Sequence, residues 1–229
     1  MDVEISQQVQ DWVELWQDAN RRNDPRAQYR LASLYTASTE EGAAAKALTW
    51  YKKSAAQGYT DACFALGICY EDGLGTRKNY RQAVRWYKAA QRGVSDDLME
   101  HPAPMDRVEN AMVQRYMEDE TYAQSVDELL EAKASPWEDS FQGDLEGAQH
   151  GDAEAQNRLG HRYRYGQGVE PDMEQAVYWF WKSAQQGCEA GISHYAVCME
   201  ERKEYKEAAK WHRKYAQILI KWRKRRLGW

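Results

Sequence analysis

The stretch DACFALGICYEDGLGTRKNYRQAVRWYKAAQRG, residues 61–93, decides the fold. Its apolar and small residues recur at i, i+3 and i+4 on both sides of a glycine-rich turn, which is typical of two helices with one apolar stripe each. Gly73 and Gly75 supply the positive φ angles that a tight turn between helices needs, and Gly93 stands where a C′ glycine would end the second helix. The pattern predicts an antiparallel helical hairpin. Because one hairpin cannot bury its own apolar face, we expect the hairpin to be repeated.

The same pattern returns elsewhere in the chain. Residues 152–187 restore the Leu-Gly pair of the first helix as Leu159 and Gly160, and both turn glycines recur. An amphipathic helix over residues 2–20 suits the cap that the exposed end of a repeat array requires. The predicted organisation is a capping helix at 1–23, repeat 1 at 24–58, repeat 2 at 59–93, an acidic insertion with a degenerate repeat at 94–151, repeat 3 at 152–187, a truncated repeat 4 at 188–216 and a basic helix end at 217–229.

The Leu-Gly pair, the paired turn glycines, the Trp-aromatic pair and the terminal glycine follow one another in this order at 61–93 and 152–187. These residues resemble the Sel1-like repeat, a helical hairpin related to the tetratricopeptide repeat. The resemblance covers most of 24–93 and 152–216. It implies an all-α fold, a right-handed α-solenoid of antiparallel helical hairpins that together form an α-α superhelix.

Composition bounds the class of protein. The 229 residues include 36 acidic and 31 basic side chains, for a formal net charge of −5. The N-terminal sequence MDVEISQQVQDWVELW has no uninterrupted apolar run, so we expect neither a signal peptide nor a membrane span, and a cytoplasmic location. Cys63, Cys69, Cys188 and Cys198 lack the spacing of a disulfide or metal framework, so we expect reduced thiols that fill small apolar gaps.

Two charged segments leave alternatives open. The insertion at 94–151 reads either as a solvated loop with an irregular helix over 106–118 or as a binding loop, since long insertions in compact folds are often functional. The basic tail at 221–226, KWRKRR, complements a helix C-terminus. The tail could instead contact nucleic acid or an anionic membrane, or neutralise the insertion. Nucleic acid is the weaker alternative, because the overall charge is acidic and we expect no basic stripe or RNA-binding motif beyond the tail.

Signatures of catalysis are missing from the sequence. The five histidines show no HExxH or other metal-ligand spacing, and there is no GxSxG nucleophile elbow. The Gly-x-Gly turns at 73–75 and 166–168 follow predicted helices rather than strands, so they read as turns of the repeat and not as phosphate-binding loops. We therefore expect no enzyme activity, no cofactor, no metal and no small-molecule substrate.

The candidate binding face lies on the first helix of each repeat, beside the positions of Leu31, Leu66 and Leu159 that face the core. Phe64 and Ile68 form a one-turn apolar pair on this face, which indicates an anchor for a partner. Alternatively, the pair packs on the insertion or on a neighbouring helix. The candidate partner-binding residues are Tyr29, Asp61, Phe64, Ile68, Glu71, Asn157, His161 and Arg164.

The sequence thus predicts a non-enzymatic interaction scaffold that binds a protein or peptide in a concave helical groove. The family resemblance also implies an alternative, a bacterial immunity or regulatory protein that neutralises a toxin or an enzyme. In that case the acidic insertion would block a basic active site. A nucleic-acid binder acting through the basic tail is the third alternative.

Overall fold

The computed structural model describes the backbone of residues 2–100 and 140–227, and the side chains of residues 10–93 and 140–226. These ranges contain α-helices, turns and loops but no strand, which confirms the prediction of an all-α fold. The helices are α1 Asp2–Asn20, α2 Pro25–Ala37, α3 Ala43–Ala56, α4 Thr60–Asp72, α5 Tyr80–Glu100, α6 Phe141–Gln149, α7 Ala153–Tyr165, α8 Met173–Gln185, α9 Glu189–Glu201 and α10 Tyr205–Leu227.

The chain divides into two compact units. Unit 1 comprises residues 1–96 and 199–220, and unit 2 comprises residues 97–198 and 221–229. Consecutive helices pack as hairpins within each unit, for example α2 on α3 and α7 on α8. Each hairpin buries the apolar stripes that the sequence predicted.

The core of unit 1 is built from one leucine in each first helix. Leu31 of α2 and Leu66 of α4 are fully buried, and Tyr51 of α3 packs in the same core as Leu66. Gly67 of α4 leaves space in the core for the ring of Tyr87 on α5, because a Cβ atom at position 67 would lie 2.3 Å from Cε1 of Tyr87. A small residue on one helix therefore receives a large one from the next.

Unit 2 repeats this arrangement. Leu159 of α7 is fully buried, and a Cβ atom on the adjacent Gly160 would lie 2.7 Å from the Phe180 ring of α8. The buried hydroxyl of Ser183 donates to the carbonyl of Ala153 at 2.6 Å, which ties α8 to the start of α7. The same local sequence therefore makes the same packing in both units.

The turn glycines behave as predicted, but Gly93 does not. Gly73 and Gly75 have φ angles of +80° and +67° in the turn between α4 and α5. Helix α5 continues through Gly93 to Glu100, so the prediction of a C′ glycine at this position was wrong. A Cβ atom on Gly93 would lie 2.7 Å from Oγ1 of Thr60, so this glycine serves the close approach of α5 to the start of α4.

Residues 200–213 pack against α4 and α5, the second hairpin of unit 1. Lys88 on α5 pairs with Glu200 at 2.9 Å, and Gln91 donates to the backbone carbonyl of His212 at 2.9 Å. On α4, Glu71 lies 3.5 Å from Arg213. These contacts join residues more than one hundred positions apart in the sequence, which a repeat pattern cannot predict.

Two other expectations need correction or fall outside the described residues. Asp144, counted with the solvated acidic insertion, is completely buried in α6. The helix predicted over 106–118 lies outside the part of the chain that the structure describes.

Candidate interaction faces

A polar cluster joins the first helices of unit 2. Asn157 and His161 lie one turn apart on α7, and His194 lies opposite them on α9. Nδ1 of His194 is 2.8 Å from Oδ1 of Asn157 and 3.2 Å from Nε2 of His161. Because an amide oxygen only accepts, Nδ1 of His194 carries the proton, and Nε2 of His161 faces it as a lone pair. The three side chains hold one another in a fixed arrangement.

Both histidines of this cluster resist protonation. Burial lowers the pKa of His194 to about 4, with smaller contributions from the charges of His161 and Arg164. Burial, and then the charge of Arg164, also lowers the pKa of His161. The imidazole rings are therefore neutral near pH 7, and each can accept a hydrogen bond as well as donate one.

Aromatic and cationic groups border these histidines. The ring of His161 stacks on Tyr165 with centroids 5.8 Å apart, and Tyr165 is 60% exposed. The guanidinium of Arg164 lies 5.5 Å from the Tyr165 centroid and donates to Sγ of Cys198 at 3.4 Å. We call these residues the α7–α9 cluster: Asn157, His161, Arg164, Tyr165 and His194.

In unit 1, the candidate residues nearest the N-terminus form an aromatic corner. The Tyr29 ring lies 5.8 Å from that of Tyr51 and 5.4 Å from that of Tyr59. Burial, and then the negative charge of Asp61, raises the pKa of the Tyr29 hydroxyl. Tyr29 and Asp61 are both half-buried, so part of each is open to a partner.

Two of the other candidate residues in unit 1, Phe64 and Glu71, contact residues of the same unit. The Phe64 ring lies 5.5 Å from Tyr87, and Phe64 packs against the core, as the alternative interpretation of this residue expected. Glu71 is only 17% exposed and accepts a 2.5 Å hydrogen bond from the Tyr87 hydroxyl. Ile68 is half-buried. This face therefore offers less free apolar surface than the sequence suggested.

The sequence found part of each arrangement. Helical spacing placed Asn157, His161 and Arg164 on one face, and the structure brings them together. His194 and Tyr165 were missed. His194 had no local signal, because it lies on another helix, whereas Tyr165 follows Arg164 directly and ends α7 as an exposed aromatic residue.

Comparison with known families agrees with the packing. Residues 25–59, 60–92 and 153–188 each match the Sel1 repeat. The chain therefore contains three Sel1 repeats. Sel1 repeats are generally scaffolds for protein interactions, and the family is typically non-catalytic.

Two relatives come from Schizosaccharomyces pombe. The chain is 26% identical over 212 residues to chitin synthase regulatory factor 3, an alignment that covers 89% of this chain and 21% of the relative. It is 47% identical over 57 residues to an uncharacterised Sel1-like repeat-containing protein, covering 24% of this chain and 9% of the relative. The chain thus spans about a fifth or less of the length of these relatives.

Solved structures of Sel1-repeat proteins are also similar. A Sel1 repeat protein from Oxalobacter formigenes matches with 25% identity and a TM-score of 0.29, over 81% of this chain and 85% of that one. A protective antigen of uropathogenic Escherichia coli that displays an SLR fold matches with 23% identity and a TM-score of 0.34, over 92% of this chain and 49% of that one.

Other kinds of site are not evident in the described ranges. Across residues 2–100 and 140–227 of this Sel1-repeat chain, no helix has the length and apolar character needed to cross a membrane. The same ranges contain no grouping of His, Cys, Asp and Glu side chains suited to a metal ion. The four cysteines are free thiols, and burial raises the pKa of Cys63 and of Cys69 to about 11.

Proposed function

We propose that this Sel1-repeat chain is a non-enzymatic scaffold that binds a peptide segment of another protein along the first helices of its repeats. The observation that carries the proposal is the α7–α9 cluster. Its hydrogen-bonding groups are fixed by their mutual contacts, while the neighbouring Tyr165 ring remains mostly exposed. Preorganised polar groups beside an exposed aromatic ring are typical of a peptide-binding surface, because little side-chain entropy is lost on binding.

Each group of the cluster offers a distinct contact to a peptide. Arg164 carries a positive charge and donors for a carbonyl or carboxylate oxygen. The exposed face of Tyr165 suits an apolar side chain, as aromatic rings at interfaces often do. The ring of His161 is neutral and is held in place by stacking on Tyr165, so it offers a fixed aromatic surface to the peptide. A peptide with an apolar residue next to an acceptor group fits this set.

The unit 1 face is proposed as a second contact region. Its residues are Tyr29, Asp61, Phe64, Ile68 and Glu71. The half-buried Tyr29 and Asp61 are the stronger contacts, since Phe64 and Glu71 also hold the unit together. The groove formed by these first helices, and a cytoplasmic location, stay predictions.

A matched pair of variants tests the proposal. A peptide selected from a random displayed library on the wild-type protein would be measured by calorimetry against Tyr165→Ala and Tyr178→Ala. Tyr178 is the control, since it is also exposed in unit 2, at 45%, but lies on the second helix α8. We expect Tyr165→Ala to weaken binding by about 1 to 3 kcal/mol, as for an interface anchor. Tyr178→Ala should leave the affinity unchanged.

Two results would contradict the proposal. Selection of no binding peptide, or equal affinity of the wild type and Tyr165→Ala for every selected peptide, would remove the cluster from consideration. A thermal melt of each variant separates lost binding from lost folding.

A regulatory role is a second candidate for the scaffold. It is supported by the similarity to chitin synthase regulatory factor 3 of Schizosaccharomyces pombe, which aligns with 89% of this chain. The scaffold would then act by docking onto an enzyme or its partner. Toxin neutralisation and nucleic-acid binding through the tail stay predictions.

A further inference from the structure

A second surface, on α5, has a different chemistry. Arg81, Arg85, Lys88 and Arg92 are spaced by four, three and four residues, so all four lie along one side of this helix. They line an open cavity of about 710 Å³ together with Glu200 of α9 and Tyr205 of α10. We call this cavity the α5 groove. The sequence-based expectation that no basic stripe exists beyond the tail was therefore wrong.

The groove is strongly positive. Its lining carries four cations and one carboxylate, a net charge of +3, in a chain whose formal net charge is −5. Lys88 already pairs with both oxygens of Glu200, at 2.9 and 3.3 Å. Burial lowers the pKa of the neighbouring His212 to about 4, so this ring adds no charge near pH 7. The positive charge of the groove comes from its three arginines.

These arginines are placed to meet a ligand. Arg81, Arg85 and Arg92 are exposed, and Arg81 lies 5.9 Å from the Tyr205 ring. Guanidinium groups favour planar acceptors such as carboxylates, which they bind through paired hydrogen bonds. The charges of several arginines on one helix face add up, so together they attract an acidic ligand more strongly and from farther away than a single arginine does.

The spacing of the cations defines the ligand. Arg81 and Arg85 are about 6 Å apart along the helix axis, Arg85 and Arg92 are about 10 Å apart, and the whole stripe is about 16 Å long. Side chains on the same face of an extended peptide are about 6.7 Å apart. Two acidic residues at alternate positions of an extended peptide therefore match Arg81 and Arg85, and a third, two residues further, ends about 3 Å short of Arg92, within the reach of its long side chain. A nucleic acid is disfavoured, because the stripe is short and the rest of the chain is acidic.

We infer that the α5 groove binds an extended acidic peptide segment of a partner protein, with Asp or Glu at alternate positions. The groove shares no residue with the α7–α9 cluster and lies on a second helix rather than a first helix. Binding at the two surfaces is therefore tested separately.

The test uses a synthetic peptide as the probe. Fluorescein-labelled Ser-Glu-Ser-Glu-Ser-Glu-Ser would be titrated with the full chain and followed by fluorescence polarisation. We expect saturable binding in about 50 mM salt that weakens at least about tenfold in about 500 mM salt, since exposed charge pairs are screened. The same peptide with Gln in place of Glu should not bind.

Variants locate the binding in the groove. Arg85→Gln with Arg92→Gln should lower the affinity at least about tenfold, because two charge-assisted hydrogen-bonding groups are removed. The control is Arg21→Gln with Arg30→Gln, which removes the same charge from exposed positions of unit 1 outside the groove lining. We expect this control to bind like the wild type. All four altered side chains are exposed, so the variants should fold, and circular dichroism checks this.

Three outcomes would overturn the inference. The first is no binding of the glutamate peptide. The second is an equal loss of affinity in the groove variant and the control, which would indicate a diffuse charge effect. The third is displacement of the peptide by a single-stranded oligonucleotide of equal charge at a lower concentration, which would assign the groove to nucleic acid.

Discussion

Gly67 and Gly160 hold equivalent places on α4 and α7, directly after the buried leucine of each first helix. Each lies against an aromatic ring of the following helix, Tyr87 or Phe180, and both rings are fully buried. Neither ring can move aside without disturbing a packed core. At the scale of single residues, the absence of a side chain on one helix therefore determines how closely the next helix approaches.

Substitution of Gly67 tests this packing. A Cβ atom would lie 2.3 Å from Cε1 of Tyr87, so we expect Gly67→Ala to lower the free energy of unfolding by about 1 to 3 kcal/mol through overpacking. Urea unfolding of the purified chain measures the change. In a Tyr87→Leu background the added methyl group has more space, and the same substitution should cost less. Equal costs in the two backgrounds would show that the ring is not the obstacle.

Residue-scale prediction of the candidate site succeeded only along a helix. Asn157, His161 and Arg164 follow from helical spacing, because the period of 3.6 fixes which side chains share a face. His194 did not follow, since its 3.2 Å contact with His161 joins two different helices. Phe64 was expected to be an exposed anchor, yet its ring lies beside Tyr87 because the second helix of its own hairpin reaches that side.

At the scale of elements, the short helix α6 depends on α7 for its position. Asp144 of α6 is fully buried and forms ion pairs with Arg158, at 2.6 Å, and with Arg162. One turn further, the amide of Gln156 donates to the carbonyl of Ala148 at 3.1 Å. Because α6 has only nine residues, it would be marginal as an isolated helix, and these contacts stabilise it.

Removal of the buried charge should loosen α6. Asp144→Asn leaves two partly exposed arginines facing a neutral amide, so we expect the free energy of unfolding to fall by about 1 to 3 kcal/mol, as when one partner of a buried hydrogen-bonded group is lost. Amide hydrogen exchange in 141–149 should become faster. Glu146→Gln is the control, as Glu146 is an exposed residue of the same helix. Similar losses for both variants would contradict the role given to Asp144.

At the scale of the whole molecule, buried histidines couple stability to pH. Burial lowers the pKa of His194 and of His212 to about 4, and that of His161 is also lowered. His194 faces His161 and Arg164, whereas His212 faces Glu200 and Lys88. An unfolded histidine has a pKa near 6.5, so between about pH 6.5 and 4 the unfolded chain binds protons that the folded chain does not. Stability is therefore lost as the pH falls through this range.

A pH series of urea unfolding measures this loss. We expect His194 and His212 each to contribute about 1 to 3 kcal/mol of the decrease between pH 6.5 and 4. His212→Phe removes one titrating group and places an aromatic ring where repeat 3 has Phe180 after its tryptophan. The variant should show a shallower decrease than the wild type. If His212→Phe and His194→Asn both lose stability as steeply as the wild type, other groups cause the pH dependence.

The sequence by itself determined the repeated hairpin, the buried Leu66 and Leu159, and the positive φ angles of the turn glycines. Each follows from spacing within about 35 residues, where helical periodicity and backbone sterics act locally. Only the tertiary structure decided that residues 199–220 pack in unit 1, that Asp144 is buried and that Glu200 closes the α5 groove. Those contacts join segments far apart in sequence, and their partners are chosen by how the packed helices fit in space rather than by any local period.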